Sequence, residues 1–575
     1  MRDVDLHLAH LTVQETFEFA DALLTPNSSS QQRKEKVDMI MKILGLSHRA
    51  NTIVGDDLTR GVSGGERRRV SVGVELLKRC QLLVMDEATT GLDSSTSLQI
   101  FQSLRVFADE VAPVFATLKQ PGSELFDLFD NIIVMHDGRI VYAGPREDML
   151  DYFEDKGLSV NRNTNPADEV LSLVDKHGND LNATTNTIPK PQSFDAAHPE
   201  GIQLRYKQFS RNWFVQFFWG VKRGAQLMKN NPTIAASRVV FSIVMALIIG
   251  SVFLQIGNNQ ASIFGIEGSL FIVATFPAFQ ALSSLPTVFS TRPVFYYQRK
   301  NNYYHAIPMQ FADFVVSLPV TIIESVVFAT ICYWMIGFNA LFSRFVYFVL
   351  MVLSIEVLFS LITKISGFLL PTFLVANIIV PPTIFMQSFF SGYGIRFDRA
   401  PVYLQWVFYI SPFRYLYEGL SINEFLDEEF VCDDDELLPP TSDSKFNRAY
   451  SLGGYEGNQI CPIEDGEQHL IELDFETEWA YSWYWFLVLL GFILLAFVIM
   501  MISSYWEYKG TPHRNLHAVE EKHNNYNQKI QHLKQNVRIG SYSDHTEDFK
   551  PPSLPNSSSS NSIRMLSVLT RTIML

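Results

Sequence analysis

Two short stretches carry residue types whose order could do chemistry. The first is Val62-Ser63-Gly64-Gly65-Glu66-Arg67-Arg68-Arg69-Val70-Ser71. Consecutive glycines after a serine let backbone amides come close to phosphate oxygens, and a helix starting there turns its positive dipole end toward the same anion. Ser63, Gly64, Gly65 and Glu66 are therefore candidate phosphate-binding residues. The second stretch, QLLVMDEATTGLDSS from Gln81 to Ser95, is an apolar run that ends on two carboxylates. Asp86 at such a strand end suits a Mg2+ ligand, and Glu87 beside it can orient a water. Each half alone is commonplace, since SGG is an ordinary loop and MDE an ordinary strand end. It is their occurrence together, at this spacing, that supports hydrolysis of a bound phosphate.

The elements that must position these residues read as a soluble α/β domain over residues 1–155. The buried-strand run Leu82-Leu83-Val84-Met85 alternates with charged helical stretches such as Ser94 to Asp109. In Asn131 to Ala143 two apolar runs flank His136-Asp137-Gly138, and Asp-Gly between such runs signals a hairpin. Residues 156–208 are polar, rich in Asn, Asp, Thr and Pro, and read as a linker without apolar periodicity. From Phe209 to Gln226 aromatics mix with Lys222 and Arg223, as in an amphipathic helix lying on a membrane surface.

The remainder departs from a soluble protein. The 575-residue chain is 47% hydrophobic and holds 45 Phe, 22 Tyr and 8 Trp, and aromatic rings gather at membrane–water boundaries. Residues 209–508 contain six stretches long enough to cross a bilayer: 239–256, 268–291, 314–337, 345–362, 365–392 and 483–504. Glu324 and Glu356 fall inside the third and fourth. A carboxylate in hydrocarbon must face protein, water or a partner, so each is either a pathway residue or a packing residue held by a helix–helix hydrogen bond.

Basic residues set the expected orientation. Lys222, Arg223, Lys229 and Arg238 precede the first span, Arg292, Arg299 and Lys300 follow the second, and Lys509 and Arg514 follow the last. These sides are expected to be cytosolic. The loop 423–478 is acidic, with Glu428, Glu429, Asp433, Asp434, Asp435 and Glu436, and is expected to be external. Cys432 and Cys461 are the only cysteines there. They form a disulfide in an oxidising compartment or remain two thiols, and their isolation in one such loop favours the bond. No CxxC spacing occurs, which argues against zinc. Net charge is −14, and a nucleic-acid partner is not expected. The polar tail, residues 509–575, reads as disordered.

With these motifs in place, the chain resembles an ABC transporter of the G subfamily, the white and pleiotropic-drug-resistance type. VSGGE matches the ABC signature, LLVMDE the Walker B strand with its glutamate, and Gly91-Leu92-Asp93-Ser94-Ser95 the D-loop. LTVQET at Leu11–Thr16, RPVFY at Arg292–Tyr296 and SPFRY at Ser411–Tyr415 match further family segments, so that the resemblance covers residues 4–508. It implies an α/β P-loop-type ATPase domain followed by an all-α six-helix transmembrane domain. It also implies ATP and Mg2+ as cofactors, a homo- or hetero-dimer with another ABC half-transporter, and ATP-driven export of an amphipathic, hydrophobic or lipid-like substrate across a lipid membrane. By the same resemblance, residues 299–305 would couple the two domains and residues 400–418 would form short helices at the outer face.

Three departures qualify what the resemblance implies. No GxxxxGK[ST] occurs, so the Walker A loop with its lysine is missing from these residues. A family Q-loop glutamine is absent from residues 1–10, and the ATPase domain is expected to be incomplete. At the switch-histidine position this chain reads Thr117-Leu118-Lys119-Gln120-Pro121, and a lysine cannot act as the neutral acceptor. Ser63 to Glu66 are expected to complete a partner's ATP site, while Asp86 and Glu87 face a site expected to be dead or very weak. The alternatives are an ATPase-deficient membrane partner or regulator, and a non-functional truncated product.

Overall fold

The computed structural model describes residues 5–26, 28–56, 59–78, 82–86, 89, 93–177, 209–432 and 461–505, and the backbone of 564–569. The chain forms two compact units. One comprises Met1–Trp219, Lys300–Tyr304 and Asn525–Leu575, the other Gly220–Arg299 and His305–Asn524.

In the first unit the helices are α1 (Val13–Leu24), α2 (Ser30–Ile43), α3 (Gly64–Leu76), α4 (Ser94–Glu110), α5 (Ser123–Phe126), α6 (Met149–Asp155) and α7 (Pro166–His177). The strands are β1 (Leu83–Met85), β2 (Val114–Leu118), β3 (Asn131–His136), β4 (Arg139–Pro145) and β5 (Arg564–Leu569). The sheet order is β1-β2-β5-β3-β4, with β1 parallel to β2 and β5 antiparallel to both neighbours. Alternating Val114, Ala116 and Leu118 are buried, as expected of a strand whose faces differ. The β3–β4 turn puts Asp137 and Gly138 at φ of 47° and 76°, the left-handed pair that a two-residue hairpin requires. The expected hairpin is thus present.

Helix starts follow the local sequence. Thr12 accepts the Glu15 amide at 3.1 Å, and Glu15 Oε2 accepts the Thr12 amide at 2.9 Å, a reciprocal cap that fixes α1. Behind it, buried Asp21 accepts from Lys36 Nζ at 2.8 Å, and the same ammonium donates to the Leu77 carbonyl at 2.7 Å, tying α2 to the end of α3. Tyr303 and Tyr304, in the segment assigned to this unit, are fully buried, and Tyr304 packs edge-on to Phe19.

Two expectations about this unit change. The linker contains α7, whose Ala167, Val170, Leu173 and Val174 are buried; this three-and-four spacing is a helical stripe hidden among polar residues. The tail contains β5, whose backbone pairs with β2 and β3. Residues 178–208 and 506–563 lie outside the described residues.

The second unit is helical. Helix α8 (Trp213–Asn230) leads into it and is followed by α9 (Pro232–Val252), α10 (Gln260–Ala281), α11 (Leu285–Lys300), α12 (Ala306–Ile336), α13 (Phe342–Leu369), α14 (Phe373–Phe389), α15 (Gln405–Ile410), α16 (Pro412–Phe425), α17 (Gly466–Glu472) and α18 (Trp479–Ser503). Among the described residues five helices are long and apolar enough to cross a membrane: Pro232–Val252, Gln260–Lys300, Ala306–Ile336, Phe342–Leu369 and Trp479–Ser503. The 17-residue Phe373–Phe389 is shorter and apolar.

The boundaries differ from the sequence reading for stated reasons. Arg292–Tyr296, expected between the second and third spans, is helical, because α11 runs through Pro293 to Lys300. The break expected after Ile362 falls instead at Leu370–Thr372. Pro371 lacks an amide proton and forces Leu370 out of the helical region, to ψ of 147°. Arg292 then donates to the carbonyls of Gly367, Leu370 and Pro371 at 2.7, 2.7 and 2.8 Å. A cation thereby satisfies the bare C-terminal carbonyls of α13.

Helix contacts are close where residues are small. A Cβ on Gly419 would come within 2.5 Å of the Tyr347 hydroxyl, which itself donates to the Ser482 carbonyl at 2.8 Å. Glycine at that point lets α13, α16 and α18 meet around one tyrosine. After α16 the chain is pinned by a Cys432–Cys461 disulfide with Cα atoms 5.7 Å apart. Beside it, Gln260 Oε1 accepts the Ile463 amide at 3.3 Å, and His469 Nε2 lies 3.0 Å from Glu267 Oε1.

Candidate functional site

Helix α3 begins at the serine singled out above. Ser63 Oγ accepts the Glu66 amide at 3.2 Å, and Glu66 Oε2 accepts the Ser63 amide at 2.8 Å. Glu66 Oε1 takes Arg49 Nε at 3.1 Å and lies 3.5 Å from His48 Nε2. Burial acts to raise the Glu66 pKa, but the hydrogen bonds from Ser63 and Arg49 outweigh it and hold the carboxyl below its ordinary value. Glu66 is therefore an ionised clamp under the loop. Ser63 and Gly64 are exposed, so the start of the helix presents its amides to solvent. That is the geometry of an anion site at a helix N-terminus.

The two glycines differ in role. A Cβ on Gly64 would meet nothing within 4 Å, whereas one on Gly65 would come within 2.7 Å of Thr96 Cγ2. Gly65 therefore packs the SGG turn onto the first turn of α4. That turn is capped by Asp93, whose Oδ2 accepts the Thr96 amide at 3.2 Å. The hydrogen bonds from Thr96 hold the Asp93 carboxyl below its usual value.

Asp86 directly follows β1 and is exposed. Thr117 Oγ1 donates to its Oδ1 at 2.6 Å, which fixes the carboxylate, and no hydrogen bond from the described residues reaches Oδ2. Glu87 and residues 90–92 lie outside the described residues. Lys119 follows β2 on the exposed surface, before Gln120 at φ of 46°. The structure thus joins the SGG turn to Asp93 through Thr96, and Asp86 to β2. Among the described residues no hydrogen bond or ion pair links Ser63–Glu66 to Asp86.

Sequence reasoning missed Arg49, Thr96 and Thr117. Arg49 and Thr96 carry no local signal, being brought in by tertiary packing. Thr117 had one: β2 lies parallel to β1 with Ala116 opposite Met85, so the next residue stands beside Asp86.

Comparison with known proteins now adds family to geometry. Residues 2–90 match the family model "ABC transporter", and residues 215–425 match "ABC-2 type transporter", as does a second model of that description over 119–192. An ATP-binding cassette portion joined in one chain to an ABC-2 membrane domain defines an ABC transporter polypeptide, carrying an integral membrane domain. The relatives narrow this further. "ABC transporter G family member 5" of Dictyostelium discoideum is 31% identical over 532 residues, 87% of this chain and 35% of that protein. "ABC transporter G family member 6" of the same organism is 30% identical over 87% of this chain and 34% of that protein. "ABC multidrug transporter G" of Aspergillus fumigatus is 27% identical over 87% of this chain and 40% of that protein. The chain belongs to the G family of ABC transporters. It spans roughly a third to two fifths of the length of these curated relatives.

The residues present fit part of an ATP site. Ser63 with the amides of Gly64 and Gly65 would hold phosphate oxygens, and Asp86, whose Oδ2 takes no hydrogen bond from the described residues, would hold Mg2+. Mg-ATP, if held there, would supply a phosphoanhydride bond for cleavage. No lysine-bearing phosphate loop stands opposite Asp86 in this sequence.

Proposed function

We propose that this chain provides one ATP-binding portion and one membrane domain of a G-family exporter that moves an amphipathic or lipid-like substrate, working in a pair with a second ABC nucleotide-binding portion. The observation that carries the reading is the exposed, capped start of α3. Ser63 offers its hydroxyl and Gly64 its amide to solvent, while Glu66, clamped by Arg49, keeps that end of the helix fixed. A phosphate loop from another ABC portion is the complement such a surface lacks. Asp86 would hold Mg2+ on the other face, and Glu87 would orient water there. The basic residues at Lys222–Arg238 and Arg292–Lys300 support a cytosolic ATP-binding portion, and the disulfide favours an oxidising outer side.

A second reading, an ATPase-deficient partner, is favoured by Lys119 at the switch position and by the missing GxxxxGK[ST]. One experiment separates them. The purified chain, alone and with a co-expressed G-family partner, is reconstituted in vesicles and assayed for vanadate-sensitive ATPase and for ATP-dependent flux of a fluorescent amphiphile. Activity only in the pair, lost on Gly64→Asp in this chain, supports the exporter reading. Binding to the partner with activity indifferent to Gly64→Asp supports the deficient-partner reading. Vanadate-sensitive ATPase from the chain alone, abolished by Glu87→Gln, overturns the need for a second nucleotide-binding portion.

A further inference from the structure

The two carboxylates inside the predicted spans are not on a pathway surface. Glu324 on α12 is 0% exposed and Glu356, mid-way along α13, is 2% exposed. Arg238 on α9 donates to Glu324 Oε2 at 2.8 Å, and Ser325 Oγ donates to Glu356 Oε2. The other oxygen of each, Glu324 Oε1 and Glu356 Oε1, is buried and has no donor among the described residues, and the bond from Ser325, the residue next to Glu324, sets the two carboxyl groups at the same level of the α12–α13 contact. The two cations of α13 are engaged elsewhere, Lys364 with Asp313 at 3.2 Å and Arg344 with Asp427 at 2.9 Å. With both glutamates ionised, the cluster would hold one uncompensated negative charge and two facing acceptors, an arrangement that burial strongly disfavours.

We infer that Glu324 and Glu356 form a buried proton-binding site: Glu356 carries a proton on Oε1 and donates it to Glu324 Oε1, while Glu324 stays ionised against Arg238. One proton then satisfies both orphan oxygens and makes the cluster neutral. The site joins α9, α12 and α13, so any movement that parts α12 from α13 also removes the acceptor of that proton.

The test is infrared spectroscopy of the full chain in phosphatidylcholine vesicles at neutral pH. The wild-type minus Glu356→Gln difference is expected to show loss of a carboxylic-acid carbonyl band. Ser325→Ala, which removes the donor to Oε2, is expected to shift that band to higher frequency, and serves even if Glu356→Gln fails to accumulate. The amide of Glu356→Gln can donate in the proton's place, so its unfolding midpoint should stay within about 2 °C of wild type, whereas Glu356→Ala should fall by roughly 4–8 °C. Changes confined to the carboxylate bands in both variants overturn the proposal. So does a wild-type midpoint that rises with NaCl but not with choline chloride, because a sodium ion would then bridge the pair.

Discussion

Ser63 and Glu66 close the start of α3 on each other, each side chain accepting the other's backbone amide, at 3.2 and 2.8 Å. Because Glu66 also anchors Arg49, the loop that presents Ser63 and Gly64 is fixed from beneath. Glu66→Ala should therefore lower stability by about 1–2 kcal/mol, read as a lower midpoint for the first unfolding transition. The carboxyl is held below its ordinary value of 4.5. Its contribution is then present above pH 4.5 and lost as pH falls through the lower folded value. Glu66→Gln should flatten that acid limb. An unchanged limb in Glu66→Gln would show that other carboxylates carry it.

Gly466 is a second fixed point. A Cβ there would come within 1.9 Å of the Phe425 carbonyl oxygen, and the Gly466 amide already donates to the Glu428 carbonyl at 2.9 Å. No rotamer relieves a clash with backbone, so the segment carrying Cys461 would have to move. Gly466→Ala should cost about 1–3 kcal/mol and leave a fraction of chains with free thiols at Cys432 and Cys461. Maleimide labelling without reductant measures that fraction. Labelling equal to wild type would show that the segment absorbs the extra methyl.

Glu424, near the end of α16, is buried and accepts the Asn339 amide at 3.1 Å. Burial is the main cause that pushes its pKa up to about 8; Asn339 and Arg344 act to lower it and Glu428 to raise it. The folded state then keeps a proton that the unfolded chain releases near pH 4.5. Stability should fall as pH rises from about 4.5 to 8 and level off above that. Glu424→Gln should reduce this slope, leaving the share of other buried carboxyls such as Glu418, which burial pushes up to about 7. Thermal midpoints across that range in detergent check it, and an equal slope in the variant would place the proton elsewhere.

Much of this was legible because it is local. The capping pair at Ser63 and Glu66 follows the S-x-x-E pattern, the Asp137-Gly138 turn is set by two residues, and the long apolar runs announce membrane helices. What was not legible depends on distant partners. Glu324 and Glu356 could be flagged as anomalous, but nothing in the sequence says that Arg238 lies against one and Ser325 against the other. Helix ends were misplaced where a proline acts differently by position. Pro293 is carried inside α11, while Pro371 ends α13. In α7 the apolar stripe is four residues within a polar stretch, too weak a signal against the linker composition around it.

Arg292 offers the last test. Its guanidinium serves three carbonyls at the end of α13, lies over the Phe289 ring at 4.6 Å and is buried. Planar geometry matters more than charge here, because Gly367, Leu370 and Pro371 present acceptors in different directions that a fork of donors can span. Arg292→Lys keeps the charge but places a single nitrogen where two worked. It should leave at least one buried carbonyl without a donor and cost about 1–3 kcal/mol. Arg292→Ala should cost more, since it strips all three. Hydrogen exchange of residues 363–370 localises the effect: opening confined to the last turn of α13 is the expected result. Lysine equal to arginine in both stability and exchange would show that water, not the guanidinium, satisfies that helix end.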